Sequence, residues 1–251
     1  MRDESRPLII GGSGGSGTRL FARLCILSGF HLGANLNPSL DSLDFFHFYE
    51  RWINKYLLRR QVPLGEKEND QMKEEFKMCT NKHRSPIPGL KRRWGFKNPR
   101  SMLLLPFLNE HFKDMKFVHV VRDGRDMAYS TNQRQVHKHA EALLGRHYNE
   151  LNRLSLSILF WAKSNMEVAE YGEDVMRDRY IRIRFEDLCK KPEPTLIRLL
   201  NFLEVKFDGI SVFTREIKSP SSIGRWLSKP KKEQVELTEV ARPALRHFGY
   251  L

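Results

Sequence analysis

The stretch PLIIGGSGGSGTRLFARL, residues 7–24, decides how this chain is read. PLIIG (7–11) is short, apolar and ended by glycine, the pattern of a buried strand. Over 17–28, Leu20, Phe21, Leu24 and Leu27 recur at helical spacing. Between them lies a run of glycines and serines. A strand, a glycine loop and a helix start form an anion cradle: backbone N–H groups point inward and the helix N-terminus adds roughly half a positive charge. Ser16 and Thr18 add hydroxyl donors. The nucleotide triphosphatase pattern G-x-x-x-x-G-K-[ST] aligns on Gly12 and Gly17, but its lysine position is Thr18 and its hydroxyl position is Arg19. The loop therefore suits an anion that is handled without that lysine and without a magnesium-binding hydroxyl.

The rest of the chain alternates in the same manner. WGFK (94–97) is a short strand, and KFVHVV (116–121) is apolar on both faces, as a parallel strand is. RYIRIRFEDL (179–188) contains another strand. GFHLG (29–33) is a strand or a turn, and ANLNPSLDS a loop. Helical spacing runs over about 39–61, through GEKENDQMKEEFKMC, over SMLLLPFLNEHF, through RDMAYSTNQ, over 150–171, over PEPTLIRLLNFLEV, and over 231–247 around Pro243. HRSPIPGLKRR (83–93) reads as a basic loop. The alternation predicts an α/β fold, a parallel sheet with helices on both faces. No linker divides residues 1–251, and the helical insertion at about 39–85 is expected to cap the sheet's edge.

The 43 Lys and Arg against 30 Asp and Glu give a formal net charge of +13, which favours anionic partners. Three cysteines at 25, 79 and 189 fit neither a metal pattern nor a disulfide framework, so reduced thiols and a cytoplasmic location are expected. MRDESRP (1–7) is not signal-like, and no apolar run reaches the roughly 18 residues of a membrane span. The basic surface lacks a recognition helix, zinc site or aromatic RNA platform, so nucleic acid ranks last among partners. No residue cluster calls for a metal.

Two further segments carry chemistry. In VVRDGRDMAYS, Arg122 ends a strand, at the rim where open α/β sheets bind ligands, and Ser130 follows eight residues later, placed on the next helix. A guanidinium fork with a hydroxyl grips a phosphate monoester, although Arg122, Asp123, Arg125 and Asp126 could equally be a salt-bridge cluster. In GFKNPRSM, Lys97 ends a short strand on the same rim, a point charge able to stabilise a developing anion or simply a solvated lysine.

With these elements in order, the chain resembles the sulfotransferases that depend on 3′-phosphoadenosine 5′-phosphosulfate (PAPS). The glycine loop resembles their 5′-phosphosulfate loop, VRDGRDMAYS their 3′-phosphate motif and KNPR their lysine segment. RFEDLCKKPEPTLIRLLNFL resembles the strand, EDL and helix of that family. SSIGRWLS with the terminal GY resembles its C-terminal lid. The likeness runs from about 8 to 250. It implies a P-loop-type sheet and PAPS as sulfuryl donor. It places Gly14, Gly15, Ser16, Gly17, Thr18 and Arg19 at the 5′ group, Arg122 and Ser130 at the 3′-phosphate, and Arg225 or Ser222 in the lid. Lys97 would face the transferring group. One position departs from the family: Gly15 stands where a basic residue precedes S-G-T, so the leaving-group cation falls to Arg19 or Lys97. For the general base the chain offers Asp41, Asp44 and His47, with Asp44 and His47 sharing a helix face. The implied acceptor is a hydroxyl, or an amine, on a small molecule or carbohydrate. An unusual P-loop kinase and a non-catalytic nucleotide-binding relative are the alternatives.

Overall fold

The computed structural model describes residues 6–59, 61–85, 93–145, 148, 150–207 and 209–251. Residues 1–5 and 86–92, in the N-terminal stretch and the basic loop, fall outside these. Four strands, β1 (Leu8–Gly12), β2 (Gly95–Lys97), β3 (Lys116–Val121) and β4 (Tyr180–Arg184), form a parallel sheet in the order β2-β1-β3-β4. The helices are α1 (Thr18–Leu27), α2 (Phe46–Leu58), α3 (Glu66–Arg84), α4 (Leu105–His111), α5 (Gly124–Ala128), α6 (Arg134–Leu144) and α7 (Arg153–Tyr171). They continue with α8 (Phe185–Lys190), α9 (Pro192–Phe202), α10 (Ser211–Thr214), α11 (Lys231–Val240) and α12 (Arg242–His247).

Strand period fixes the two layers. Ile9 is in register with Phe96 and Phe117, and all three enter one core with the aromatic side of α2 and α3, where Phe45 stacks on Phe96 at 4.3 Å between ring centroids. Leu8, Ile10, Val118 and Ile181 face the other way, onto Phe21 and Leu24 of α1 and Leu196 and Leu199 of α9. A third cluster joins Val121 at the end of β3 to Trp161 of α7 and to Leu245 and Phe248. The sheet is thus covered on both faces, as its apolar strands require.

Several boundaries differ from the sequence reading. The helix expected from 39 starts at Phe46, after a 3-10 turn at Leu43–Phe45, because the Asn37 side chain accepts from the N–H of Ser39 and Asp41 and holds them in a turn. SMLLLPFLNEHF divides into a 3-10 segment, Pro99–Leu104, and α4, which has Pro106 in its first turn. The helix after Arg122 ends at Ala128, so Ser130 lies in a turn rather than two turns along a helix. Helix α6 has no counterpart in that reading. GFHLG forms a single bridge, His31 to Trp94.

His119, in the middle of β3, is fully buried: its Nδ1 lies 2.7 Å from the Tyr180 hydroxyl and its Nε2 2.9 Å from Asn165 Oδ1. Burial pushes its pKa down to about 3. The unfolded ring takes a proton near pH 6.5, whereas the folded one resists until about 3, so stability is full above 6.5 and falls progressively between 6.5 and 3. Between pH 7.5 and 4.5 this group should cost about 2–3 kcal/mol. Urea denaturation at the two pH values should show a smaller loss in His119→Gln than in wild type; equal losses would assign the acid sensitivity elsewhere.

Candidate active site

The glycine loop spans the gap between β1 and α1, and its backbone is held from outside. Gln135 of α6 clamps it twice: the Gly14 N–H donates to Gln135 Oε1 at 2.9 Å, and Gln135 Nε2 donates to the Gly12 carbonyl at 3.4 Å. Asn165 Nδ2 donates to Ser13 Oγ at 3.1 Å, which ties the loop to His119 and Tyr180. Ser16 and Thr18 are buried, and Ser16 Oγ has no hydrogen-bond partner. A buried hydroxyl at a helix N-terminus with no partner is free to donate to an anion's oxygen.

Gly15 and Gly17 both have positive φ, 95° and 96°. At Gly15 a Cβ would meet only ordinary contacts, 3.5 Å from Met127 Cε and 3.6 Å from Ser130 Oγ. At Gly17 it would sit 2.2 Å from Phe185 Cδ2. Backbone strain alone costs about 1 kcal/mol. Gly15→Ala, and equally Gly15→Arg, should lose about that much, while Gly17→Ala should lose clearly more because a ring must move. Thermal unfolding of the two alanine variants checks this, and an equal shift would show that Phe185 yields freely.

β3 delivers Arg122 to the same place. It is 4% exposed, donates to the Gly15 carbonyl at 3.4 Å and to Ser222 Oγ at 3.0 Å, and its Nε has no partner. Trp161 Nε1 donates to the Arg122 carbonyl at 3.0 Å and fixes the strand end. Ser130 is buried, with its Oγ against Gly15. Arg122, Ser130 and the glycine loop therefore converge. The carboxylate of Asp126 accepts from the N–H of Gly224 (2.7 Å) and of Trp226 (3.2 Å), which docks the 222–228 segment over them. Arg225 donates to the Tyr129 and Ser222 carbonyls. Burial and the nearby Arg122 hold its pKa below the ordinary arginine value, with Asp126 opposing. Two guanidiniums so placed repel each other, and the single carboxylate of Asp126, 3.7 Å from Arg122, offsets only one of the two charges. Arg125 lies over the Trp226 ring at 3.7 Å and binds Asp123 and the Tyr250 carbonyl, and the Tyr250 hydroxyl donates to Glu186. The RDGRD cluster is thus both a salt-bridge cluster and the anchor of the 222–228 segment.

Lys97, at the end of β2, is 1% exposed, and its Nζ donates to Asp41 Oδ1 at 2.5 Å and to the Ser39 carbonyl at 3.0 Å. Burial lowers its pKa; Asp41 opposes this, and the charge of Arg19 adds to it. Arg19 is therefore within electrostatic reach of Lys97. It is exposed and lines a groove of about 420 Å³ with Gly17, Phe185, Arg215 and Lys218. On the other side of the loop, Gly14 and Asp41 line a cleft of about 250 Å³. The structure brings Asp41, not Asp44 or His47, to Lys97. Asp44 is engaged by His83 Nδ1 (3.1 Å) and Asn35 (3.3 Å), beneath α3, and His47 points to solvent beside Phe46. Gln135 and Asn165 were invisible in the sequence, since an amide inside a helix has no positional signature. Asp126 was visible, but its role as a cap for a segment 98 residues away was not. Among the described residues, no three His, Cys, Asp or Glu side chains cluster as metal ligands, and no helix is long and apolar enough to cross a membrane.

The profile of the sulfotransferase family matches residues 7–209. The protein-tyrosine sulfotransferase of Drosophila melanogaster is 26% identical over 143 residues, 57% of this chain but only 26% of that protein's length. The fold is similar to mouse sulfotransferase SULT7A1 complexed with PAP, with a TM-score of 0.56 and 14% identity over 96% of this chain and 84% of that one. It is also similar to a sulfotransferase from Alicyclobacillus acidocaldarius, with a TM-score of 0.55 and 16% identity over 96% and 93%. The strand order, the glycine loop on its helix and the arginine at the end of β3 agree with the profile match over most of the chain: this protein belongs to the sulfotransferase family.

Proposed function

We propose that residues 1–251 act as one domain that transfers a sulfuryl group from PAPS to a hydroxyl or amine acceptor, with residues 39–85 forming a cap on the acceptor side. The observation that carries this reading is the convergence of Arg122, Ser130 and the glycine loop, with Ser16 Oγ and Arg122 Nε buried and unpartnered. These groups fit two separate anionic ends, as a nucleotide with a 3′-phosphate and a 5′-phosphosulfate has. PAPS supplies an activated sulfuryl group whose departure needs no metal-bound water. The Ser16 and Thr18 hydroxyls and the N–H groups of Gly15 and Gly17 would hold its 5′ end, with Gly14 pinned by Gln135 and Arg19 beside them; Arg122 and Ser130, closed over by Ser222 and Arg225, would hold its 3′-phosphate.

Lys97 and Arg19 stabilise negative charge where it grows, in place of the side chain that Gly15 lacks. Asp41 is the better-placed base: it borders the acceptor cleft, its Oδ2 accepts from Asn37 Nδ2 at 2.9 Å, and its remaining lone pairs can take the acceptor's proton. The pairing with Lys97 keeps that carboxylate aimed along the rim. Incubation with sulfur-labelled PAPS, with and without candidate acceptors, tests the reading. Label should leave the nucleotide and leave adenosine 3′,5′-bisphosphate behind. Turnover of ATP with no binding of PAPS would replace this reading with that of a kinase.

A further inference from the structure

We infer that the acceptor is a hydroxylated ring carrying a carboxylate, a uronate-type sugar, and that Arg134 reads its charge. This rests on the reading of the site above, because the cleft in question is the one that opens between Gly14 and Asp41. Its volume, about 250 Å³, lies below the roughly 300–1,000 Å³ of pockets that enclose drug-sized ligands, so it admits about one ring. Most side chains around it are amides, carboxylates or cations, while Leu43, Phe46 and Pro99 supply apolar surface, so the cleft offers a ring both hydrogen-bond partners and apolar contact.

The charges decide which polar ring fits. Lys97 faces Asp41. Glu50 is shared by Arg100 at 2.6 Å and Lys138 at 2.5 Å. Arg134, on the same face of α6 as Lys138 and one turn before it, has no ion pair or hydrogen bond among the described residues and lines the cleft. The lining of the cleft, Asp41 and Glu50 against Arg100, Lys138 and Arg134, therefore carries a surplus of one positive charge, and Arg134 offers a guanidinium fork that matches a carboxylate. The apolar wall is Leu43, Pro99 and Phe46, the last 41% exposed although large and aromatic, with the Arg100 guanidinium 5.5 Å from its ring centre. A flat ring edge beside hydrogen-bonding amides accommodates the C–H face of a pyranose while its hydroxyls reach Asn132 and Asp41. The Gln135 clamp keeps Gly14, and so the loop, beside that ring.

The test is equilibrium binding of methyl β-glucuronide, methyl β-glucoside and 4-nitrophenol to the full chain, with and without saturating adenosine 3′,5′-bisphosphate. The glucuronide should bind about tenfold or more tighter than the glucoside, the worth of one charge-assisted hydrogen bond. Arg134→Ala should erase that preference without changing affinity for the glucoside or the bisphosphate, and Arg134→Lys should restore part of it. A uronate-containing tetrasaccharide, run beside the monosaccharide, tells a polymeric source from a free one: a further gain assigns the polymer, and equal affinity assigns the free sugar. Equal binding of glucuronide and glucoside, tighter binding of 4-nitrophenol, or a preference that survives in Arg134→Ala overturns the inference. If the wild type shows no preference for the glucuronide while the bisphosphate still binds, only the acceptor assignment fails. If the bisphosphate does not bind while the preference stands, it is the donor reading that fails.

Discussion

Arg122→Ala should weaken binding of adenosine 3′,5′-bisphosphate by about 2–5 kcal/mol, the loss expected when one partner of a desolvated charge pair is removed. The side chain is nearly inaccessible and bridges the Gly15 carbonyl and Ser222 Oγ, so it contributes both a charge and a link between the loop and the lid. Arg122→Lys should recover little, because an ammonium cannot reach both partners and a phosphate together. Ser130→Ala, which removes one neutral donor, should cost only about 1 kcal/mol. Titration calorimetry separates these. A loss below 1 kcal/mol in Arg122→Ala would remove Arg122 from the binding site.

Lys97→Ala should lower turnover by about 10²–10³, while donor affinity changes far less, because the charge matters most as the leaving group departs. Arg19→Ala should cut the rate at least as deeply, since Gly15 supplies no cation and Arg19, at the start of α1, is the cation whose charge acts on Lys97. Equal falls in rate and affinity would make Lys97 a binding residue only. The pH profile gives an independent check. Burial depresses the Lys97 pKa, so the ammonium loses its proton at a lower pH than an ordinary lysine, near 10.4, would. The alkaline limb of the rate should therefore fall early, and Lys97→Arg, which keeps its charge, should move that limb upward.

The strands were legible because burial leaves a clear mark. β1 and β3 are apolar on both faces, and the rule that ligands gather at strand C-termini placed Arg122 and Lys97 on one rim. What escaped the sequence depends on polar side chains in unusual surroundings. Helix α6 buries Gln135 and His139 beside Val136 and Ala140, so two of the polar residues that face the core carry no mark of burial in the sequence. Asp41 is brought to Lys97 by a turn that the Asn37 side chain builds, whereas Asp44 spends its carboxylate on His83, contributed by α3. Ser130 reaches Gly15 only because α5 stops after five residues. In each case a polar contact or the end of a helix, not helical spacing, decides where the side chain lies.

The central claim is that this rim is built for two anionic ends of one nucleotide. Calorimetric titration of the wild-type chain with adenosine 3′,5′-bisphosphate and with AMP, at one ionic strength, tests it most directly. The account predicts that the bisphosphate binds tighter by at least about 2 kcal/mol, roughly thirtyfold, through Arg122, Ser130 and the lid. Equal affinity for the two nucleotides would contradict it.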